Sequence, residues 1–386
     1  MNNPSRPQVM KSNDTRGEKP LTPLRVAFLY FGVLMGAGFA SGKEMWQFFG
    51  VFGSKGFLGL LFISGLFIAL GLVIVYIGSS LGTGDLSKII FPYEQPLFER
   101  IIGLVVAAFL FMAYFAMLAA GGALTEAQFG IPRAIGSSLL MLLVVFTAIK
   151  GFTKVSGRLG KVVPILLGAT LVLAIAILSQ EYKSIDGRQI MMASQLAPNW
   201  FIAAIVFVSY NMMGAIPILG SCTLYTEDPR IVRRGAVIGG AFLGGCAMIL
   251  YLVTITDPMA SLQSDLPMLT FAQRLAPFVG TLYSLILLIS VFGTATSCFY
   301  GFSTKLPECE KRDVLVWIAA VAGLAASMMG FSKIVAIFYP LEGYLGFLFL
   351  AFMLWNYIRI KKGKRKIAEE EPVIANVEGI SQNGKN

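Results

Sequence analysis

Gly36-Ala37-Gly38-Phe39-Ala40-Ser41-Gly42 falls about a dozen residues into an apolar run, 24–49, that is otherwise long enough to cross a bilayer. A second such stretch, Ser209-Tyr210-Asn211-Met212-Met213-Gly214-Ala215-Ile216-Pro217, sits at a similar depth in the sixth apolar run. Unpaired backbone in hydrocarbon costs several kcal/mol per group, so interrupted helices persist only where they line a buried or watery cavity. Matched interruptions in the two halves of a chain point to a transporter's binding site.

Composition makes the setting a membrane. Apolar residues are 56% of the chain and charged ones 13%, with a mean hydropathy of +0.73, far from the charged fraction of about 25% usual in soluble domains. There is no histidine, and Cys222, Cys246, Cys298 and Cys309 lack metal or disulfide spacing, which disfavours zinc chemistry and histidine relays. No cofactor is expected. Residues 1–23 are polar, contain Pro4, Pro7, Pro20 and Pro23, and lack an apolar core with a cleavage site, so they read as a flexible cytoplasmic tail.

Apolar runs of spanning length occur at 24–49, 57–81, 101–125, 134–149, 162–178, 200–222, 235–256, 278–302, 314–331 and 337–360. The last run is expected to begin near Tyr339-Pro340, since proline suits a first turn. Lysine and arginine concentrate in the tail to Arg25, between Lys150 and Lys161, at Arg230, Arg233 and Arg234, and from Arg359 to Lys366. The alternate segments hold only Lys55, Arg133, Lys183, Arg188, Arg274 and Lys333. The positive-inside rule then puts both termini in the cytoplasm. The net charge of +10 is a topology signal and not a nucleic-acid surface, because the charges are spread over loops. The fold expected is an all-α membrane protein of ten spans. Five spans (about 24–180) are followed by five of opposite orientation (about 198–360), an inverted repeat with spans 1 and 6 broken. A polar, disordered cytoplasmic tail, 361–386, follows.

Each break is bipolar: the half-helix after it points free N–H groups into the gap, and the half before it offers free carbonyls. A carboxylate could rest on the N–H groups of Ala40, Ser41, Gly42 and Gly214, with an ammonium or metal cation on carbonyls near Gly36, Phe39 and Ser209. The solute site is therefore expected at Ala37, Gly38, Ala40, Ser41, Gly42, Tyr114, Tyr210, Asn211, Met213 and Gly214, for a zwitterion such as an amino acid. Gly235/Gly239 and Gly240/Gly244 in span 7 have small-xxx-small spacing and read as close helix packing. Glu44 reads equally as a capping carboxylate paired with Lys43 and as part of a gate. In span 8, Thr296 and Ser297 can bond back to their own helix or, with carbonyls of span 1, form a sodium site without a buried acid.

Apart from Glu44 and Glu342, the latter read near the outer end of span 10, no acid lies within the spans, so sodium coupling is favoured over a carboxylate relay. Lys161 at the start of span 5 could replace sodium by a titrating ammonium; snorkelling is its competing role. Residues 262–277 read as an amphipathic external lid or a surface helix.

The stretch from Gly36 through Lys43-Glu44 to Trp46-Gln47-Phe48-Phe49, with Tyr339-Pro340-Leu341-Glu342-Gly343-Tyr344, resembles the YkvI-like family of bacterial membrane proteins over about 24–360. That resemblance implies a branch of the amino acid–polyamine–organocation superfamily, with the leucine-transporter fold and a plasma-membrane location. It implies a solute between spans 1, 3, 6 and 8, and sodium on the carbonyls of Gly36, Phe39 and Gly293 with Thr296 and Ser297. The expected function is a sodium-coupled secondary transporter of an amino acid or related zwitterion. Lys43, Glu44, Lys161 and Glu342 are gate or coupling candidates. The alternatives are a proton-coupled transporter or exchanger, and a non-transporting sensor; an enzyme is disfavoured by the lack of a His-based triad, metal cluster or phosphate loop.

Overall fold

The computed structural model describes residues 21–93, 95–150, 162–181, 197–226, 228–307 and 312–363. The expectations for both tails, for Lys161 and for Cys309 fall mostly or wholly outside them. Among the described residues the chain is helical, without strands.

The first apolar run is broken. Helix α1 (Pro23–Leu34) starts with Pro23 in its first turn and the Thr22 hydroxyl accepting from Arg25 N. Two short pieces follow, α2 (Ala37–Ala40) and α3 (Lys43–Phe48). Between them Gly42 has φ +79, the left-handed region that glycine enters without strain, and a Cβ there would also meet Met268 Cγ at 2.9 Å. A 3-10 turn (Gly50–Phe52) leads into α4 (Ser54–Leu81), followed by α5 (Leu86–Ile90), α6 (Pro96–Phe129), α7 (Arg133–Lys150) and α8 (Val162–Glu181). The second half comprises α9 (Trp200–Cys222), α10 (Pro229–Thr254), the short α11 (Pro258–Gln263) and α12 (Pro267–Leu275), α13 (Pro277–Ser303), α14 (Arg312–Ser327) and α15 (Phe331–Lys361).

Two sequence expectations are corrected. Helix α9 is continuous through 209–217 with Pro217 inside it. Proline removes one N–H and with it one bond to the preceding turn. Dense packing holds the rest of the helix: α4 and α15 lie against it, and Gly343 and Gly346 let the α15 backbone approach Val206 and Ser209. Helix α15 begins at Phe331, so Pro340 is interior and Glu342 lies well inside the helix. Its start is set by Gly330 at φ +89 and by Asp265, whose carboxylate accepts from Ser332 N at 3.1 Å.

Helices α4, α6, α9, α10, α13 and α15 are long and apolar enough to cross a bilayer, and apolar side chains as exposed as Leu104, Val172 and Phe278 stand on outer faces. Two packing groups emerge: α1, α4, α9 and α10 on one another, and α6, α7, α13 and α14 on one another, with α15 against α9 and α6. The glycines of α10 make the first group close. Gly235 and Gly239 admit Val26 and Tyr30 of α1, while Gly240 and Gly244 admit Ile68 and Ser64 of α4.

Candidate functional site

At the broken helix, α1–α3, α6, α9, α13 and α15 surround a cavity of about 230 Å³. Gly36, Gly38, Phe39, Glu44, Tyr210, Asn211, Met213, Gly214 and Glu342, all expected from sequence, line it. So do Val33, Leu34, Val106, Phe109, Leu110, Ala113, Met117, Thr294 and Tyr339, which the sequence reading did not place there. Their signal was helical spacing. Val106, Leu110, Ala113 and Met117 recur on one face of α6, and Tyr339 is three residues before Glu342 on one face of α15.

Tyr114 is corrected: it lies off that face of α6. Its ring lies tilted against Phe299 with centroids 4.5 Å apart, fits against Gly323, and its hydroxyl donates to Ala320 O at 3.4 Å. Two donors of the expected N–H cradle, at Ala40 and Gly42, already have partners. Ala40 N donates to Gly36 O, Gly42 N to Phe39 O, the Ser41 hydroxyl to Gly38 O at 2.6 Å, and Lys43 N to Ser41 Oγ. Gly214 sits inside continuous α9, and Ser209 and Asn211 donate to Ile205 O and Phe207 O of the same helix. No free backbone donor from Ala40, Gly42 or Gly214 therefore faces the cavity.

The cavity's polar groups are instead acids and phenols. Glu44, in the first turn of α3, is buried and accepts a 2.6 Å hydrogen bond from Tyr210 OH through Oε2, while Oε1 abuts Gly38 so closely that a Cβ there would run into it. Lys43, its neighbour, turns away. Its ammonium donates to the carbonyls of Ser261, Leu262 and Ser264 at 3.1, 2.9 and 2.7 Å, capping the end of α11. Met268 N donates to Ser41 O, so the α11–α12 hairpin is fastened to the break by both a side chain and backbone. Asp265 extends the clasp by bonding Arg133 and Ser332.

On α13, Gly293 is buried, Thr296 is fully buried with its hydroxyl donating to Phe292 O at 2.7 Å, and Ser297 is exposed. Thr294 is the α13 hydroxyl that borders the cavity. Helix α2 lies against α13, and Tyr283 OH donates to Ala40 O at 2.7 Å.

No family model matches the chain. It is 25% identical over 335 residues to the uncharacterized membrane protein YkvI of Bacillus subtilis (strain 168), covering 86% of this chain and 94% of that one. Among solved structures it resembles Mhp1 in an inward-facing conformation, with TM-score 0.56 at 13% identity over 90% of this chain and 78% of that one. It also resembles MhsT in complex with L-phenylalanine, with TM-score 0.56 at 18% identity over 88% and 93%. This agreement over most of each chain gives the protein the leucine-transporter-like fold.

Proposed function

We propose that the protein is a secondary transporter, and not an enzyme, that moves a small solute across the bacterial plasma membrane by alternating access. The observation that carries this reading is the cavity at the break in the first helix, enclosed between the two packing groups. Val26 and Tyr30 of α1 meet Gly235 and Gly239 near the start of α10, so the hairpin after α10 covers the opposite end. With the N-terminus inside, the wall from Gly36 down to Val33 on α1 and Val106 on α6 faces the cytoplasm, and the hairpin closes the outside. Rocking α1, α4, α9 and α10 against the second group would exchange these openings.

The amino-acid-like solute expected from the sequence shares its ammonium with what the carboxylates of this cavity favour. Sodium is the coupling ion in this reading, on the carbonyls of Gly36, Phe39 and Gly293 with Thr296 and Ser297; the contact of α2 with α13 supports it, and binding would need the Thr296 hydroxyl, which now bonds Phe292 O, to offer its oxygen to the ion. Reconstitution in liposomes tests transport. Exchange of internal for external labelled solute supports it, and saturable binding without any exchange would instead identify a membrane sensor of the same fold.

A further inference from the structure

Among the described residues, two carboxylates and no lysine or arginine border the cavity. Glu44 is held by Tyr210. Glu342 is 8% exposed, and among the described residues neither its carboxylate nor the hydroxyl of Tyr339, one turn earlier on the same face of α15, has a hydrogen-bond partner. No lysine or arginine is among the described lining residues, and Lys43 is committed to the carbonyls of α11. A buried carboxylate without a partner is costly, and a second one in the same space makes it more so. Protonation would remove the penalty by neutralising an acid; a cation between the two removes it with both still ionised.

The rest of the wall limits which cation. Val33, Leu34, Phe39, Phe109, Leu110 and Met117 present hydrocarbon, and about 230 Å³ is several times the roughly 30 Å³ share of one water molecule. A bare metal ion would leave most of that volume and all of that apolar surface without a partner. A zwitterion would bring a third carboxylate beside two, with no lysine or arginine among the described lining residues and the N–H groups of Ala40 and Gly42 already bonded. An ammonium on a compact apolar body satisfies both parts of the wall.

We propose that the cavity recognises a small amine as its cation, the ammonium held between Glu342 and Glu44 and the apolar body against α6. This rests on the reading of the cavity as the solute site, and narrows it from a zwitterion to a net positive charge. Glu342 is the specificity-determining residue, since its carboxylate is the one left for a guest.

The test uses the full-length protein in lipid nanodiscs and two matched series: 2-phenylethylamine, L-phenylalanine and 2-phenylethanol; and isopentylamine, L-leucine and isopentanol. Titration calorimetry should show at least one amine binding tenfold or more tighter than its amino acid and its alcohol. Glu342→Gln, which keeps the shape and removes the charge, should lower that affinity at least tenfold with the melting temperature retained. If that variant does not fold, Tyr339→Phe, which removes the neighbouring hydroxyl, should lower amine affinity by about threefold. Equal or tighter binding of an amino acid or alcohol, undiminished amine affinity in Glu342→Gln, or no binding by either amine overturns the proposal. Counterflow in liposomes separates the two readings. Exchange of an amino acid without amine binding sinks the amine site and leaves transport standing; amine binding lost in Glu342→Gln, without exchange, upholds the site and sinks transport.

Discussion

Gly38→Ala is the sharpest perturbation, because one added carbon reaches one identified bond. Its Cβ would run into Glu44 Oε1, while Glu44 Oε2 is held at 2.6 Å by Tyr210 OH. The carboxylate must rotate to relieve the overlap and so leaves Tyr210. A hydrogen bond to a charged group is worth about 1.5–3 kcal/mol, and about 1.4 kcal/mol is tenfold in affinity. Displaced, Glu44 also leaves the ammonium it shares with Glu342, a charged hydrogen bond of the same size, so amine affinity should fall roughly ten- to a hundredfold. Tyr210→Phe removes the same bond from the other side and should cost about the same. Because both changes break one contact, the double variant should be no worse than either alone, a non-additivity that a double-mutant cycle measures directly. Gly36→Ala is the control: it borders the same cavity, yet a Cβ there meets nothing within 4 Å, so affinity should stay within about threefold. The assay is calorimetric titration of 2-phenylethylamine, with thermal unfolding as the check on folding. Additive losses, or equal losses in Gly36→Ala and Gly38→Ala, would refute the reasoning.

Other outcomes follow from the same geometry. Lys43→Met keeps the apolar stem and removes three carbonyl partners, so amide exchange in 258–264 should speed up about tenfold or more; unchanged exchange would show that the clasp carries no load. Gly244→Leu should prevent recovery of folded protein, since a Cβ there runs into Ser64, whereas Gly245→Leu, open within 4 Å, should be recovered normally. Thr296→Ala/Ser297→Ala should weaken sodium dependence of uptake roughly a hundredfold, at about 1.5–3 kcal/mol per lost ligand; uptake that ignores sodium and follows a pH gradient would replace sodium by the proton. A cysteine at Gln263 should react with an impermeant reagent from outside and one at Arg233 only from inside; the reverse pattern would invert the topology.

The sequence by itself determined whatever depends on local composition. Long apolar runs place the chain in a bilayer because nothing else accommodates them. The small residues at 36–42 end α1 because they lack the packing and propensity to continue it, and Gly42 supplies a left-handed turn. The glycine stripe of α10 was legible as a packing face, since i and i+4 share one side of a helix. Tertiary structure decided the rest. Pro217 looked like a second break, but α9 continues through it because α4 and α15 hold both flanks. Tyr114 looked like a ligand contact, but the phase of α6 turns it onto Phe299 and Gly323. Glu342 looked peripheral because Pro340 suggested a helix start; Asp265, 67 residues away in sequence, bonds the backbone N of Ser332 and sets the start nine residues earlier at Phe331. With the helix starting at Phe331, Glu342 lies in its interior and is buried. A window of neighbouring residues cannot contain a partner brought in by the fold, and for this chain such partners determine which groups face the cavity.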